Sequence, residues 1–161
     1  VLVDAVNDIV KNKKLTTLPL IVTFGWGGYI REDFEYIESL GLSKYFKNVE
    51  ATNDMPSNLM SVDLVVMPSR WEACPLLPME ALCTGTPIIG TNCLGLKEVL
   101  KGTPSTIIDV DDIQALSEEI VNHINKPRLD EFLTYKNVAV ARYDVNKTAK
   151  HVHKMYQKLF L

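Results

Sequence analysis

The sequence predicts a doubly wound α/β domain, a parallel sheet with helices on both faces. Three observations carry this. The apolar runs Leu18–Phe24, Val62–Met67 and Pro87–Gly90 lack the polar alternation of a half-exposed strand, so each reads as a strand buried on both faces. Segments between such runs repeat their apolar residues at helical spacing. Glycine and proline punctuate the boundaries, as at Pro75 and Gly85.

Leu2, Ala5, Val6, Ile9 and Val10 share one helical face, which predicts a helix to about Lys13. No capping residue precedes it and no initiator Met is present, so the chain reads as an excised piece of a longer protein. Leu18–Phe24 follows as a strand and stops at the glycine-rich turn Gly25-Trp26-Gly27-Gly28. Phe34, Ile37 and Leu40 mark a helix over Glu32–Leu42. A short strand is expected near Asn48–Ala51 and a short helix around Ser57–Ser61. The strand Val62–Met67 is stopped by Pro68. Pro75–Thr84 has prolines only in its first turn and Gly85 at its end, which marks a helix. Pro87–Gly90 is a strand, Leu96–Leu100 a short helix and Ser105–Ile108 a strand. Ile113, Leu116, Ile120 and Ile124 mark a helix with an acidic start, Arg128–Arg142 a second, and Val145–Leu161 a third.

At 161 residues the chain suits one domain. Its net charge of -3 offers no basic field for nucleic acid. Its apolar runs are too short to cross a membrane, and the N-terminus lacks the marks of a signal peptide. Cys74, Cys83 and Cys93 fit no Cys-x-x-Cys motif and read as reduced thiols of a cytoplasmic protein. His151 and His153 stand two apart, on different sides of a helix, and are a poor metal pair. With His123 they read as surface residues, and Arg70 and Lys97 as surface cations. The basic run Lys147–Lys158 is a solvated face or a peripheral membrane contact.

Ligands of doubly wound sheets sit beyond the carboxyl ends of the strands. The strand ending in Pro68-Ser69-Arg70 delivers the chain there, and the helix from Pro75 points its free N–H groups into the same crevice. Such a helix start can hold a diphosphate without lysine. Glu72 lies before this helix and Glu80 inside it. Two carboxylates there are an acid–base pair on a glycosidic bond, or acceptors for sugar hydroxyls.

The order of Val62-Asp63-Leu64-Val65-Val66-Met67-Pro68-Ser69, the pair Glu72 and Glu80, Gly85-Thr86-Pro87-Ile88-Ile89 and Gly95-Leu96-Lys97-Glu98-Val99 resembles the C-terminal domain of the GT-B family-4 glycosyltransferases. That resemblance implies the Rossmann-like C-terminal half of a GT-B fold, a nucleoside-diphosphate sugar as donor, and retaining transfer without metal or cofactor. It implies that Glu72 contacts hydroxyls of the transferred sugar and acts as the catalytic residue. The backbone N–H groups of Leu76 and Leu77 lie by the sugar and diphosphate, Glu80 holds the ribose hydroxyls, and Glu50–Thr52, centred on Ala51, line the base. Gly95 gives close backbone approach beside the phosphates. Gly25 and Gly27 are donor contacts, or only turn the chain.

Two departures stand out. Where many relatives carry Phe-Gly, this sequence has Cys74-Pro75, and proline lacks an N–H. The family's basic pair lies on a segment before the first helix here. The resemblance thus implies a chain without the acceptor-binding N-terminal domain or the first strand of its own domain, inactive alone, with a glycan or lipid as acceptor. Two other readings remain: a non-catalytic nucleotide-binding regulatory module, and a sugar-nucleotide epimerase domain. The first lacks the acidic cluster that a receiver domain needs after its first strand.

Overall fold

The computed structural model describes residues 1–25 and 30–159, and the backbone alone at Ile30. In chain order its elements are α1 (Leu2–Lys11), β1 (Ile21–Phe24), α2 (Ile30–Ser39), β2 (Phe46–Val49), α3 (Met55–Met60), β3 (Val65–Met67) and α4 (Leu77–Thr84). They continue with β4 (Ile88–Thr91), α5 (Leu96–Leu100), β5 (Thr106–Ile108), α6 (Ile113–Asn125), α7 (Leu129–Arg142) and α8 (Val145–Leu159). Every strand pairing is parallel. The ladder is divided: β1 pairs with β2, while β3, β4 and β5 form a separate piece.

The side-chain alternation of the strands separates two cores. On one face Ile89 and Ile108 pack with Ala5 and Ile9 of α1 and with Leu116 and Ile120 of α6. Val6 of α1 reaches instead toward Ile37 of α2 and Phe46 of β2. On the other face Val65, Met67 and Ile88 meet Ala81 and Leu82 of α4, Leu96 and Leu100 of α5, and Phe132 and Ala139 of α7. The crossover β1–α2–β2 therefore runs on the α1 face, and the crossovers through α4 and α5 on the opposite face. Parallel crossovers are right-handed, so the two series wind away from each other. The winding reverses between β1 and β3, and α1 lies across that reversal.

Several boundaries differ from expectation. β1 begins at Ile21, not Leu18, because Pro19 has no N–H for a ladder and Leu20 is exposed. Its residues are half-buried or exposed, so it is not a strand covered on both faces. β2 lies two residues earlier than expected, anchored by buried Phe46 after a 3-10 turn over Ser43–Tyr45. The ladder of β3 starts at Val65, whose N–H donates to the Pro87 carbonyl at 2.8 Å. α1 ends at Lys11, and α2 spans Ile30–Ser39. α3 starts at Met55, capped by Asp54, which accepts from the Ser57 N–H at 3.2 Å. α4 starts at Leu77 and ends as expected on Gly85, at φ 82.

Candidate functional site at the carboxyl edge of the sheet

β3 carries the chain past the sheet edge into Pro68, Ser69 and Arg70. The Ser69 hydroxyl donates to Glu72 Oε1 at 2.8 Å, and Glu72 is half-buried. Thr91 ends β4, is fully buried, and donates its hydroxyl to the Ser69 carbonyl at 2.5 Å. Arg70 donates to both carboxylate oxygens of Asp111, at 2.8 and 3.1 Å. Arg70 is thereby linked through its Nε to the loop after β5. Asn92 donates to the Asp109 carboxylate and accepts from the Val110 N–H at 3.3 Å. The loops leaving β3, β4 and β5 are thus laced together at one end of the sheet.

Gly95 sits against this loop at φ 82. A Cβ there would collide with the carbonyl oxygens of Glu72 and Ala73. Gly95 thus makes a close backbone approach to the Glu72 loop. Exposed Trp71 and Leu94 add an apolar rim beside Glu72 and Gly95.

The expected helix start carries one more departure from a free row of donors. α4 opens when the Leu76 carbonyl accepts from the Glu80 N–H at 2.9 Å. The first N–H groups of a helix have no internal partner, but here Pro78 occupies the first turn and Pro75 precedes it. Both lack a donor, which leaves the N–H groups of Leu76, Leu77 and Met79 at this end. The side chain of Leu76 is exposed and that of Leu77 half-buried. Glu80 is exposed on α4; burial pushes the neighbouring Cys83 thiol up, and the Glu80 carboxylate adds to this.

On the other piece of the sheet, Gly25 follows β1 and its carbonyl accepts from Asn48 Nδ2 at 3.4 Å. Asn48 also accepts from the Thr23 hydroxyl at 3.0 Å, closing the carboxyl ends of β1 and β2 together. Ala51 is exposed just beyond β2. Gly27 lies outside the described residues. Glu72 and Gly95 thus meet in one laced loop system, while Leu76 and Leu77 stand at the start of α4 and Glu80 lies further along that helix. Gly25 and Ala51 belong to the other half of the same edge. Ser69, Thr91, Asn92 and Asp111 were missed by motif reasoning, although Ser69 is adjacent to the Pro68 that ends the strand.

Of the histidines, His151 and His153 are exposed as expected. His123 is not a free surface residue: it is half-buried with Nε2 3.1 Å from the Asp63 carbonyl, and burial lowers its pKa. All three cysteines are free thiols. A cavity of about 270 Å³, lined by residues that include Leu64, Thr106, His123 and Arg128, opens at the amino ends of β3–β5, away from Glu72. Among the described residues no three His, Cys, Asp or Glu side chains gather to hold a metal, and no helix is long and apolar enough to cross a membrane.

Residues 1–126 match the model of the glycosyl transferases group 1. The chain belongs to that family. It is 30% identical over 131 residues to the D-inositol 3-phosphate glycosyltransferase of Corynebacterium urealyticum, covering 78% of this chain and 30% of the relative. Over 103 residues it is 34% identical to the putative teichuronic acid biosynthesis glycosyltransferase TuaC of Bacillus subtilis, covering 62% and 26%. Among solved structures, Anabaena HepE in complex with UDP superposes with a TM-score of 0.85 at 20% identity, covering 98% of this chain and 44% of that one. Staphylococcus aureus TarM, crystallised with UDP and an α-GlcNAc-glycerol, gives 0.85 at 16% identity, covering 96% and 32%. The fold is the Rossmann-like half of a GT-B glycosyltransferase. The chain spans less than half the length of these relatives.

Proposed function

We propose that this glycosyl transferase group 1 chain binds the nucleoside-diphosphate sugar donor of a retaining, metal-independent hexosyltransferase. The observation that carries the reading is the loop Ser69–Leu76. It holds the Glu72 carboxylate at the sheet edge and leads directly into the N-terminus of α4. A donor lying there has its diphosphate at the positive end of α4 and its sugar hydroxyls within the reach of an acceptor carboxylate. Glu72 reads the transferred sugar, the Leu76 and Leu77 N–H groups face the sugar and diphosphate, and Glu80 takes the ribose hydroxyls. The base lies toward Ala51, and Gly25 and Gly27 are further donor contacts. HepE has been crystallised with UDP-glucose, which supports a nucleotide sugar as ligand class.

The remainder of the full-length protein supplies the acceptor side of the cleft and the cations that neutralise the leaving diphosphate. A glycan or lipid acceptor binds there, at the cytoplasmic side of a membrane in the lipid case. The 161-residue chain alone is therefore without transferase activity. We also infer that a further parallel strand fits between β1 and β3. A strand that feeds α1 by a right-handed crossover on the α1 face lands on the flank of β1 away from β2.

Titration of the chain with UDP-, GDP- and ADP-sugars, followed by amide chemical shifts, tests the donor reading. Shifts at Leu76, Leu77, Met79 and Gly95 are expected with one base. Silence at these amides in all three titrations would dispose of the site. A product assay on the full-length enzyme separates transfer from epimerisation.

A further inference from the structure

Building on the donor-site reading, we propose that Ser69 is the positioning residue of Glu72 and that Thr91 holds Ser69 in place. Glutamate carries three side-chain torsions, and Glu72 lies in an irregular loop, where no helix or strand restrains it. The nearest cation in sequence, Arg70, donates through Nε to Asp111 rather than to Glu72. Among the described residues the donor to the Glu72 side chain is the Ser69 hydroxyl, at 2.8 Å on Oε1. An ionised carboxylate accepts at both oxygens. Ser69 therefore occupies one side of Oε1 and leaves Oε2 aimed by the same contact and free for a sugar hydroxyl.

The orientation is anchored from the sheet. Thr91 is the last residue of β4, fully buried, and its hydroxyl fixes the Ser69 carbonyl at 2.5 Å. Gly95, in the loop that follows β4, packs against the carbonyls of Glu72 and Ala73. The end of β4 and the loop after it thus grip the Glu72 loop at two separate places, and the Ser69 hydroxyl passes that rigidity to the carboxylate. The hydroxyl is a separate handle from the backbone contact. Alanine at position 69 removes the donor to Glu72 but keeps the carbonyl that Thr91 uses, so the loop retains its anchor.

The test uses the full-length enzyme carrying S69A, S69T, E72A or S69A/E72A. Glu72 side-chain order is read first, by carbon-13 relaxation of its side chain without any ligand. S69A is expected to release the Glu72 side chain into rotational averaging, and S69T, which keeps the hydroxyl, is expected to leave it ordered. Turnover is then measured with whichever of UDP-glucose, UDP-galactose, GDP-mannose and ADP-glucose the wild type uses. S69A should lower kcat/KM for that donor about tenfold, the scale of one hydrogen bond to a charged group. Affinity for the parent nucleoside diphosphate, which has no sugar for Glu72 to read, should be unchanged in S69A. In the E72A background S69A should add nothing further. A Glu72 side chain that stays ordered in S69A overturns the assignment, as do losses from S69A and E72A that multiply. An E72A enzyme with wild-type kcat/KM removes the donor-site reading itself, and the role of Ser69 with it.

Discussion

Individual positions at the carboxyl edge carry unequal structural demands. Gly95 adopts φ 82 and faces two carbonyl oxygens, so Gly95→Ala meets both backbone strain and a clash with backbone that cannot swing aside. The expected cost is roughly 1–3 kcal/mol, read from urea denaturation, together with loss of donor-induced shifts at the Glu72 loop. Full retention of both would show that the loop can relax around a methyl group. Thr91→Val is the isosteric counterpart: it leaves the shape of the core but strips the hydroxyl from the Ser69 carbonyl. An expected destabilisation of about 1–2 kcal/mol follows from a carbonyl left without its partner. Equal melting curves would mean that water replaces the hydroxyl. Glu72 and Glu80 were legible in the sequence because the motif fixes their spacing around a helix start. Ser69 and Thr91 were not, since a hydrogen bond across 22 residues depends on which strands are neighbours. Local spacing says nothing of that.

The helices show what packing adds to pattern. α1 and α6 are clasped by a polar cluster: Asp8 accepts from Lys14 at 2.6 Å and from buried Ser117 at 2.5 Å. The Lys14 ammonium first, and then the Ser117 hydroxyl, hold the Asp8 carboxyl below the usual carboxylate range. Its folded pKa lies under its unfolded one, so this contribution is complete above the ordinary aspartate value. It is lost as pH falls through the depressed value. Asp8→Asn is expected to cost about 1 kcal/mol at neutral pH. The gap to wild type should close as the pH falls through the depressed value, measured by denaturant melts across the acid range. A gap independent of pH would mean that shape, not charge, makes the clasp. Helix identity and order were readable from apolar spacing, and the glycine that stops α4 stands where expected. The strand ends were less so, because Pro19 and the 3-10 turn before β2 move the ladders by two or three residues without disturbing the apolar count. α8 poses a different question: it buries none of its residues, yet Val145, Val152, Met155, Tyr156 and Leu159 are exposed apolar side chains. We expect this stripe to pack on the rest of the full-length protein. Tyr156→Asp should then lower the melting temperature of the full-length enzyme by several degrees and leave that of the 161-residue chain unchanged. An unchanged full-length melt with lost binding to anionic phosphatidylglycerol vesicles would assign the stripe to lipid instead.

At the scale of the molecule, the divided sheet decides most. β3 and β4 bury nearly all their residues, whereas β1 is half-exposed and pairs with β2 alone. A chain extended before Val1 by a strand-forming segment is expected to join the pieces. Amide exchange at Ile21–Phe24 and Val65–Met67 should then slow by at least tenfold, about 1.4 kcal/mol of added protection. Unaltered exchange at both strands would mean that the flank of β1 takes no strand. The sequence could predict five strands, but not that they fall into two ladders, since pairing partners leave no mark on apolar runs. The division also gives a bound nucleotide sugar a mechanical part to play. In the proposed pose its base rests on the β1–β2 half and its sugar and diphosphate on the β3–β5 half, with α1 bridging their far side. Ligand and helix then act as two cross-braces over one seam. The two halves would be stiffest relative to each other when the donor is seated, and occupancy would be legible in the melting temperature before any chemistry occurs.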